Sequence, residues 1–236
     1  MKKILGPLRR GIEQYDMIKA GDSIAIGLSG GKDSTALLMA MKRYQHFSPV
    51  PFELKAITLD LGFEGMDFSP LVDLCKKIEV PYIIKKTEIG PIVFDERKEK
   101  SPCSLCARMK RGALHDLAIS EGCRTIAFGH HSDDVVETFF LSLFYEGRIN
   151  TFSPVTYLDR KDITLIRPMI FVKEKDILFD PLLKELPVVK STCPADGHTK
   201  REEMKELLKM IKKTVPDVYD RVLRAIQNKE QLNLWF

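Results

Sequence analysis

The sequence lacks a long apolar run and an even set of cysteines, and each absence excludes a class of protein. The most apolar stretch, VVETFFLSLFY, carries Glu137 and is too short to span a bilayer, so we expect no membrane anchor. The first residues, MKKILGPLRRGIEQYDM, interrupt their apolar run with Gly6 and Pro7, unlike a signal peptide. Five cysteines, an odd number, do not suit a disulfide framework. We therefore expect a cytoplasmic protein whose reduced thiols serve metal binding or catalysis.

The sequence also lacks internal repeats, low-complexity segments and long Gly/Ser linkers. Its 236 residues suffice for one large domain, or for a domain with a small appendage. A net charge of +4 leans towards an anionic partner. The positive charge is uneven, because residues 97–111 hold six Lys or Arg residues and only Glu99 as an acid. A solvated surface is the ordinary explanation of such a run, but its place beside a candidate reactive site favours nucleic acid.

Short apolar runs alternate along the chain with segments of helical spacing. This alternation predicts a doubly wound parallel sheet with helices on both faces, a Rossmann-like α/β fold. From about Val172 the pattern turns helical and charged, which predicts a domain over residues 1–171 and a helical C-terminal extension over 172–236. The predicted strands cover 22–28, 52–60, 81–86 and 124–131. The predicted helices cover 32–44, the segment from Leu71 to Ile78, the segment from near Cys103 to about Glu121, and 133–146.

The motif GLSGGKDS lies where the first predicted strand passes into a helix. Glycines at this point let backbone N–H groups approach an anion, and Lys32 supplies a compact positive charge for phosphate. The motif is not a Walker A loop, because Asp33 occupies the position of the hydroxyl that binds Mg²⁺. The plain alternative is a Gly-rich turn before a helix. The motif resembles the PP-loop of ATP pyrophosphatases, which implies that ATP is bound by Ser29, Gly30, Gly31, Lys32, Asp33 and Ser34.

A second motif, GHHSDD, follows the fourth predicted strand and fits the same superfamily. Asp133 and Asp134 are candidates to hold Mg²⁺ on the pyrophosphate, since hard cations prefer carboxylate oxygen. Their alternative role is to cap the helix that follows. Gly129 opens this motif and is a candidate contact for ATP. Asp60 ends the second predicted strand, reaches the same edge of the sheet and is a candidate contact for the adenosine.

A third motif, PCSLCARMKRG, places Cys103, Cys106 and Lys110 on one face of a predicted helix. Three chemistries use C-x-x-C. The first is a redox pair with lowered thiol pKa values. The second is a zinc site completed by Cys193 and His198. The third is an iron–sulfur site, in which three thiolates leave one iron open. The spacing alone leaves these three open.

Taken together, the segments KKILGPLRRGIEQYDMIKAGDSIAIGLSGGKDS, PCSLCARMKRG and GHHSDDVVETFF resemble the tRNA 2-thiocytidine biosynthesis proteins, the TtcA family. The resemblance extends to about residue 148. It implies ATP-dependent thiolation of a tRNA cytidine through an adenylated base, with a 4Fe–4S cluster whose open iron binds sulfide. Carried over, the cluster ligands are Cys103, Cys106 and Cys193. Position 196 is Asp where family members often have a further cysteine, so Cys193 acts alone.

The same resemblance implies catalytic roles for Lys110, Asp133 and Asp134. It also implies tRNA as partner and sulfide or a cysteine desulfurase as sulfur donor, and it is compatible with a homodimer. The terminal zinc fingers of the related thiouridine enzymes have no counterpart in this sequence. Three rival functions stay open: ATP-dependent thiolation or ligation of a small molecule, a PP-loop enzyme with a structural zinc site, and a non-catalytic ATP-binding or metal-storage module.

Overall fold

A six-stranded sheet forms the centre of the computed structural model, which describes residues 1–97, 102–194, 200–228 and 230. The strand order is β3-β2-β1-β4-β6-β5, and all neighbouring strands are parallel except β5 and β6. The strands are β1 (Asp22–Gly27), β2 (Phe52–Asp60), β3 (Tyr82–Lys86), β4 (Thr125–Ala127), β5 (Val155–Leu158) and β6 (Ile163–Ile166).

Helices connect and cover these strands within the described residues. They are α1 (Lys2–Gln14), α2 (Lys32–Gln45), α3 (Ser69–Lys77), α4 (Ile89–Pro91), α5 (Pro102–Ser120), α6 (Ser132–Glu146), α7 (Glu174–Leu178), α8 (Pro181–Lys184), α9 (Lys200–Thr214) and α10 (Val218–Gln227). A π-helical turn, Ile92–Glu96, continues α4, and a 3₁₀ turn, Asp159–Lys161, joins β5 to β6. Each of these helices is too short or too polar to cross a lipid bilayer.

Helices cover both faces of the sheet, because successive side chains of a strand point to opposite faces. Ile24 and Ile26 of β1 pack into the larger core, with α1, α2 and α3. Ala25, between them, faces the smaller core that contains Leu117 of α5. The predicted doubly wound α/β fold is therefore confirmed, and the predicted elements from 22 to 86 agree with the structure to within a few residues.

The structure departs from the prediction around the fourth strand. Only Thr125–Ala127 is strand, and the end of the predicted range, residues 128–131, is a loop that leads into α6. The loop leaves the sheet because Gly129 packs against the backbone of Asp33 instead of pairing with a strand. The prediction also missed the β5–β6 hairpin, whose antiparallel outer strand ends the otherwise parallel sheet.

The C-terminal helices pack in two ways. Ile177 of α7 and Leu183 of α8 belong to the main core. Met204 and Leu208 of α9 form a separate apolar cluster with Val136 of α6. The helical character of the C-terminal part is confirmed, and the division at residues 171 and 172 stays a prediction.

Candidate functional site

Hydrogen bonds between its own residues fix the conformation of the loop that joins β1 to α2. The Ser34 hydroxyl donates to the Gly31 carbonyl at 2.9 Å and lies 3.1 Å from the Ser29 hydroxyl. Gly31 caps α2 without a side-chain partner for the first N–H groups of the helix. Such free N–H groups, with the positive end of the helix dipole, form an anion site. The loop therefore has the shape and the donors that a phosphate group requires.

Lys32, the predicted phosphate contact, is paired with two carboxylates. Its Nζ donates to Asp33 Oδ1 at 2.9 Å and to Glu174 Oε1 at 2.8 Å. Burial lowers the pKa of Lys32, but its hydrogen bonds to Glu174 and Asp33 outweigh burial and the pKa is raised overall. Lys32 is therefore held as a cation at the mouth of the loop. Glu174, at the start of α7, was not predicted, because nothing in its local sequence points to this loop.

Gly129 brings the second motif against this loop. A Cβ atom at this position would lie 2.8 Å from the Asp33 carbonyl oxygen and 3.0 Å from the Ser34 nitrogen. Backbone atoms cannot yield as a flexible side chain can, so any larger residue would push the two segments apart. The structure thus places Gly129 beside the residues with which it was predicted to act.

The two aspartates of the second motif lie at the start of α6 and take different partners. Asp134 closes a capping box: its Oδ2 accepts from the His131 N–H at 2.9 Å, and His131 Nδ1 accepts from the Asp134 N–H at 3.3 Å. Asp133 Oδ2 accepts from the Ser132 hydroxyl at 3.0 Å and from the Glu174 N–H at 2.8 Å. The capping alternative is therefore realised by His131 with Asp134, and the role of both aspartates towards Mg²⁺ stays a prediction.

His131 lies between the two motifs. The side chain is only 2% exposed, and its Nε2 lies 3.7 Å from Asp33 Oδ1. The sequence shows two adjacent histidines, and no periodicity distinguishes the one that caps the helix. His131 is thus a residue of the site that the prediction missed.

Arg201 of α9 fastens the C-terminal part to the same helix. Its Nη1 donates to Asp134 Oδ1 at 3.1 Å and to Glu137 Oε2 at 3.4 Å, and its Nη2 donates to the Thr138 hydroxyl at 3.1 Å. Glu137 is 1% exposed, and burial raises its pKa to about 7. Neither Arg201 nor Glu137 was predicted as part of the site, because their contact joins distant parts of the chain.

Asp60 lies at the carboxyl end of β2, at the predicted edge of the sheet. Its Oδ1 accepts from the Gly62 N–H at 3.0 Å, which tightens the turn that leaves the strand. In the described part of the chain no hydrogen bond joins Asp60 to the loop from Ser29 to Ser34. Its predicted contact with adenosine stays a prediction.

The structure brings the three predicted cysteine ligands near one another. Cys103 is exposed, Cys106 is 8% exposed and Cys193 is half-buried. Burial raises the pKa of the Cys106 thiol, the nearby charge of Lys110 lowers it, and the charges of Cys193 and Cys103 raise it. All three thiols and Lys110 are therefore close enough to interact electrostatically.

Residues 185–194, called here the Cys193 segment, also lie against the phosphate-binding loop. The Val189 N–H donates to the Gly30 carbonyl at 3.0 Å. Gly30 has a φ of +86°, and a Cβ atom there would lie 2.7 Å from the Val189 Cβ. A glycine is thus required both by the backbone angle and by the segment above it.

Three thiolates form a donor set that suits an iron–sulfur cluster or zinc. As they stand, no three His, Cys, Asp or Glu side chains among the described residues are arranged to hold a metal ion. The thiol chemistry of the three cysteines fits the cluster, while ligation by all three stays a prediction. His198, the fourth ligand of the zinc alternative, lies outside the described residues.

Comparison with known proteins identifies the class to which this site belongs. Residues 7–181 match the family model described as a PP-loop domain, which covers more than half of the chain. The fold agrees, since an NH3-dependent NAD synthetase from Campylobacter jejuni superimposes with a TM-score of 0.51 at 14% identity, covering 100% of this chain and 97% of that one. The protein is a PP-loop protein.

Two relatives narrow the class. The tRNA-cytidine(32) 2-sulfurtransferase of Pelobacter propionicus is 36% identical over 222 residues, which are 93% of this chain and 82% of that protein. The protein of the same name from Geobacter sulfurreducens is 36% identical over 232 residues, 96% of this chain and 90% of that protein. The chain therefore belongs to the tRNA-cytidine(32) 2-sulfurtransferase family.

A solved structure supports the link to sulfur chemistry. The U34-tRNA thiolase NcsA from Methanococcus maripaludis, determined with its 4Fe–4S cluster, superimposes with a TM-score of 0.77 at 25% identity. The match covers 98% of this chain and 80% of that chain. It therefore includes the C-terminal part that carries Cys193, where the sequence resemblance had weakened.

Proposed function

We propose that this protein is an ATP-dependent sulfurtransferase that replaces the 2-oxygen of a tRNA cytidine with sulfur. The observation that carries the proposal is the convergence of three separate motifs. The Ser29–Ser34 loop, the Gly129–Asp134 segment and the Cys193 segment meet through Gly129 and Val189. The names of the relatives and of the thiolase neighbour supply the substrate class.

In the proposed reaction the base oxygen attacks the α-phosphate of ATP and pyrophosphate leaves. Sulfide then bonds to the activated carbon, the carbon–oxygen bond breaks, and AMP leaves with that oxygen. No net oxidation or reduction occurs in these two displacements. We propose that the sulfur comes from sulfide, or from the persulfide of a cysteine desulfurase after a thiol reductant has reduced that sulfur by two electrons to sulfide.

The nucleotide is proposed to bind by its phosphates. The free N–H groups at the start of α2 and the Lys32 ammonium face the pyrophosphate, and Lys32 exchanges its contact with Glu174 for one with phosphate. Mg²⁺ is usually held by one or two carboxylates together with substrate phosphates. Asp133 is the better placed ligand, because its Oδ1 accepts no hydrogen bond from the described residues, whereas both oxygens of Asp134 have partners.

The sulfur half of the reaction is assigned to Cys103, Cys106 and Cys193. A 4Fe–4S cluster held by these three thiolates would supply an iron with an open position for sulfur. Lys110 lies near Cys106, and its positive charge stabilises the negative charge of the thiolates and of the departing oxygen. The proposed C-terminal unit, residues 172–236, thus contributes one ligand, Cys193, to a site otherwise built by the PP-loop domain.

Nucleoside mass spectrometry tests the proposal. Anaerobic protein, unmodified tRNA transcript, ATP, Mg²⁺ and sulfide should yield 2-thiocytidine and one pyrophosphate for each thiolated base. Lys32→Ala should lower tRNA-dependent pyrophosphate release by about 10²- to 10³-fold, the usual effect of removing one key electrostatic contact. Lys175→Ala, which removes an exposed lysine next to Glu174, is the matched control and should keep its activity. Pyrophosphate release that needs no RNA, with no 2-thiocytidine formed, would refute the proposal.

A further inference from the structure

Arg167, directly after β6, is a buried cation without an anion. It is 9% exposed, and its Nη1 donates to the Ser153 carbonyl at 2.6 Å and to the Thr156 hydroxyl at 3.3 Å. Its Nε is buried and has no hydrogen-bond partner, and no carboxylate among the described residues forms a salt bridge with it. Buried arginines are normally paired, because desolvating a charge is costly. Burial accordingly lowers the pKa of Arg167 to about 10.

A second arginine, Arg111, adds another positive charge near Arg167. Arg111 is exposed on α5, the helix that carries Cys103 and Cys106, and its positive charge lowers the pKa of Arg167 further. Two like charges repel each other, and an anion beside them offsets that repulsion by attracting both. Arg167 and Arg111 thus place two positive charges near the end of β6, and no salt bridge joins either of them to a carboxylate among the described residues.

Two rings, those of Phe152 and His130, lie beside Arg167, and the charges of Asp134 and Arg201 also act on His130. The Arg167 guanidinium lies 4.9 Å from the centre of the Phe152 ring. The centre of the His130 ring lies 4.8 Å from the centre of the same Phe152 ring. Burial lowers the pKa of His130 to about 4, so the imidazole is neutral at physiological pH. Its Nδ1, like Arg167 Nε, is buried without a partner. Two unsatisfied polar side chains therefore flank one aromatic ring.

This region adjoins the nucleotide site. His130 follows Gly129, whose backbone touches Asp33 and Ser34. Arg167 leaves β6 at the carboxyl end of the sheet, where β6 lies next to β4. Ligands of open α/β sheets bind outside the carboxyl ends of the strands, so Arg167 lies at the edge of the sheet where a substrate of the same site would bind.

We infer that Arg167, Arg111 and His130 form a phosphate-binding subsite beside the PP-loop. Phosphate suits it because arginine presents a planar fork of donors that matches phosphate geometry. The phosphate can belong to the backbone of an RNA substrate or to the nucleotide itself. The RNA source rests on the proposed function, and the nucleotide source does not.

Two variants test the subsite by binding, without reference to turnover. Arg111→Gln removes an exposed charge, and Arg167→Lys keeps a cation but loses the fork. The control is Arg124→Gln, which removes an exposed arginine at the opposite, amino end of β4. For unmodified tRNA transcript, each test variant should bind about 5- to 10-fold more weakly at 0.1 M KCl. The salt slope should fall by about 0.7 to 0.9 for Arg111→Gln, which loses a charge, and should stay unchanged for Arg167→Lys, which keeps one. Arg124→Gln should change neither quantity to that extent.

A non-hydrolysable ATP analogue distinguishes the two sources. If the phosphate is that of RNA, both test variants bind the analogue as the wild type does. If it is that of the nucleotide, they bind the analogue more weakly in the absence of RNA. The inference is overturned when both affinities of Arg111→Gln equal those of Arg124→Gln, since Arg111 is exposed and its replacement does not threaten folding. A wild type that binds tRNA but forms no 2-thiocytidine would refute the proposed function and leave this inference standing.

Discussion

The two halves of the candidate site are built in different ways. The nucleotide half, residues 29–34 and 129–134, consists of two short segments closed mainly by local hydrogen bonds, such as that between Ser34 and Gly31. The cysteine half joins Cys103 and Cys106 on α5 to Cys193, which lies on a segment without helix or strand. Each segment of the nucleotide half takes its shape from neighbours in sequence, with Glu174 and Arg201 as distant partners, whereas the cysteine half is assembled only by tertiary contacts.

Two contacts make the cysteine half depend on the nucleotide half. Val189 hydrogen-bonds to Gly30 before the cysteine, and Arg201 binds Asp134 after it. Gly30 and Asp134, which receive these contacts, belong to the GLSGGKDS and GHHSDD motifs. We infer that the position of Cys193 responds to the conformation of the phosphate-binding loop, while the loop can form without Cys193.

The largest expected effect comes from replacing one cysteine, which should stop sulfur transfer but leave pyrophosphate release. Cys103→Ser, Cys106→Ser and Cys193→Ser should each abolish 2-thiocytidine formation and bleach the brown colour expected of anaerobic protein, because an oxygen ligand does not replace a thiolate in the cluster. Pyrophosphate release with tRNA should persist, because it is assigned to the nucleotide half. Visible absorption, paramagnetic resonance and nucleoside analysis measure the three quantities.

The controls for this prediction distinguish the cluster from its alternatives. Cys123→Ala removes a buried thiol whose hydrogen-bond partners among the described residues are Ser23 and Glu121, and it should keep colour and activity. His198→Ala should do little if iron is bound and should release metal if the site is Cys₃His zinc. Activity retained in Cys193→Ser would favour a redox pair. A colourless, active protein that contains only zinc after anaerobic preparation would end the cluster hypothesis.

A smaller effect tests the dependence of one half on the other. Gly30→Ala places a Cβ atom 2.7 Å from the Val189 Cβ, so the Cys193 segment must move. The variant should bind the ATP analogue more weakly, and its Cys193 should react faster with a thiol reagent, as peptide mass mapping can measure. Gly21→Ala is the matched control, since Gly21 also has a positive φ, +85°, but meets no atom within 4 Å.

Gly21→Ala should cost only the backbone penalty of about 1–2 kcal/mol and leave Cys193 as protected as in the wild type. Equal labelling of Cys193 in both variants would contradict the coupling of the halves. It would show that strain at a glycine, and not the contact with Val189, governs the segment.

The nucleotide half and its framework could be predicted from the sequence for a physical reason. A buried strand, a Gly-rich turn and a helix follow one another without interruption from Asp22 to Gln45, so local pattern and final structure coincide. The strand over 52–60 was likewise predicted with its observed bounds, because its apolar run is bounded by turn residues and ends at the edge where Asp60 lies.

The rest depends on contacts that no local pattern encodes. Glu174 pairs with Lys32, and Arg201 pairs with Asp134, across most of the chain. The β5–β6 hairpin has strands of four residues each, too short for a clear alternation. His131 is missed for a different reason, since only the geometry of the helix start distinguishes it from His130.

The smallest expected effect concerns Glu137, which lies under the contact between α9 and α6. Burial raises its pKa to about 7, from an ordinary value of 4.5, so the folded state binds the proton more tightly than the unfolded chain. Its contribution to stability is complete below pH 4.5 and is lost as the pH rises to 7. His130 acts oppositely: burial lowers its pKa from 6.5 to about 4, so stability is lost as the pH falls through that range.

Because these two slopes oppose each other in the wild type, the prediction concerns a difference between variants. Glu137→Gln removes the titrating carboxyl and keeps an oxygen for Arg201. Its Tm minus that of the wild type should rise by a few degrees between pH 4.5 and 7 and then stay level, since about 2–4 °C corresponds to 1 kcal/mol in a chain of this size. Glu202→Gln removes an exposed carboxyl from α9 and is the control, because it shows how much a surface substitution changes the pH dependence of Tm. A difference in Tm that is constant from pH 4.5 to 8 would mean that Glu137 keeps its charge throughout. The contact of Arg201 with α6 would then be a permanent buried ion pair, and the anchoring of the Cys193 segment would be independent of pH.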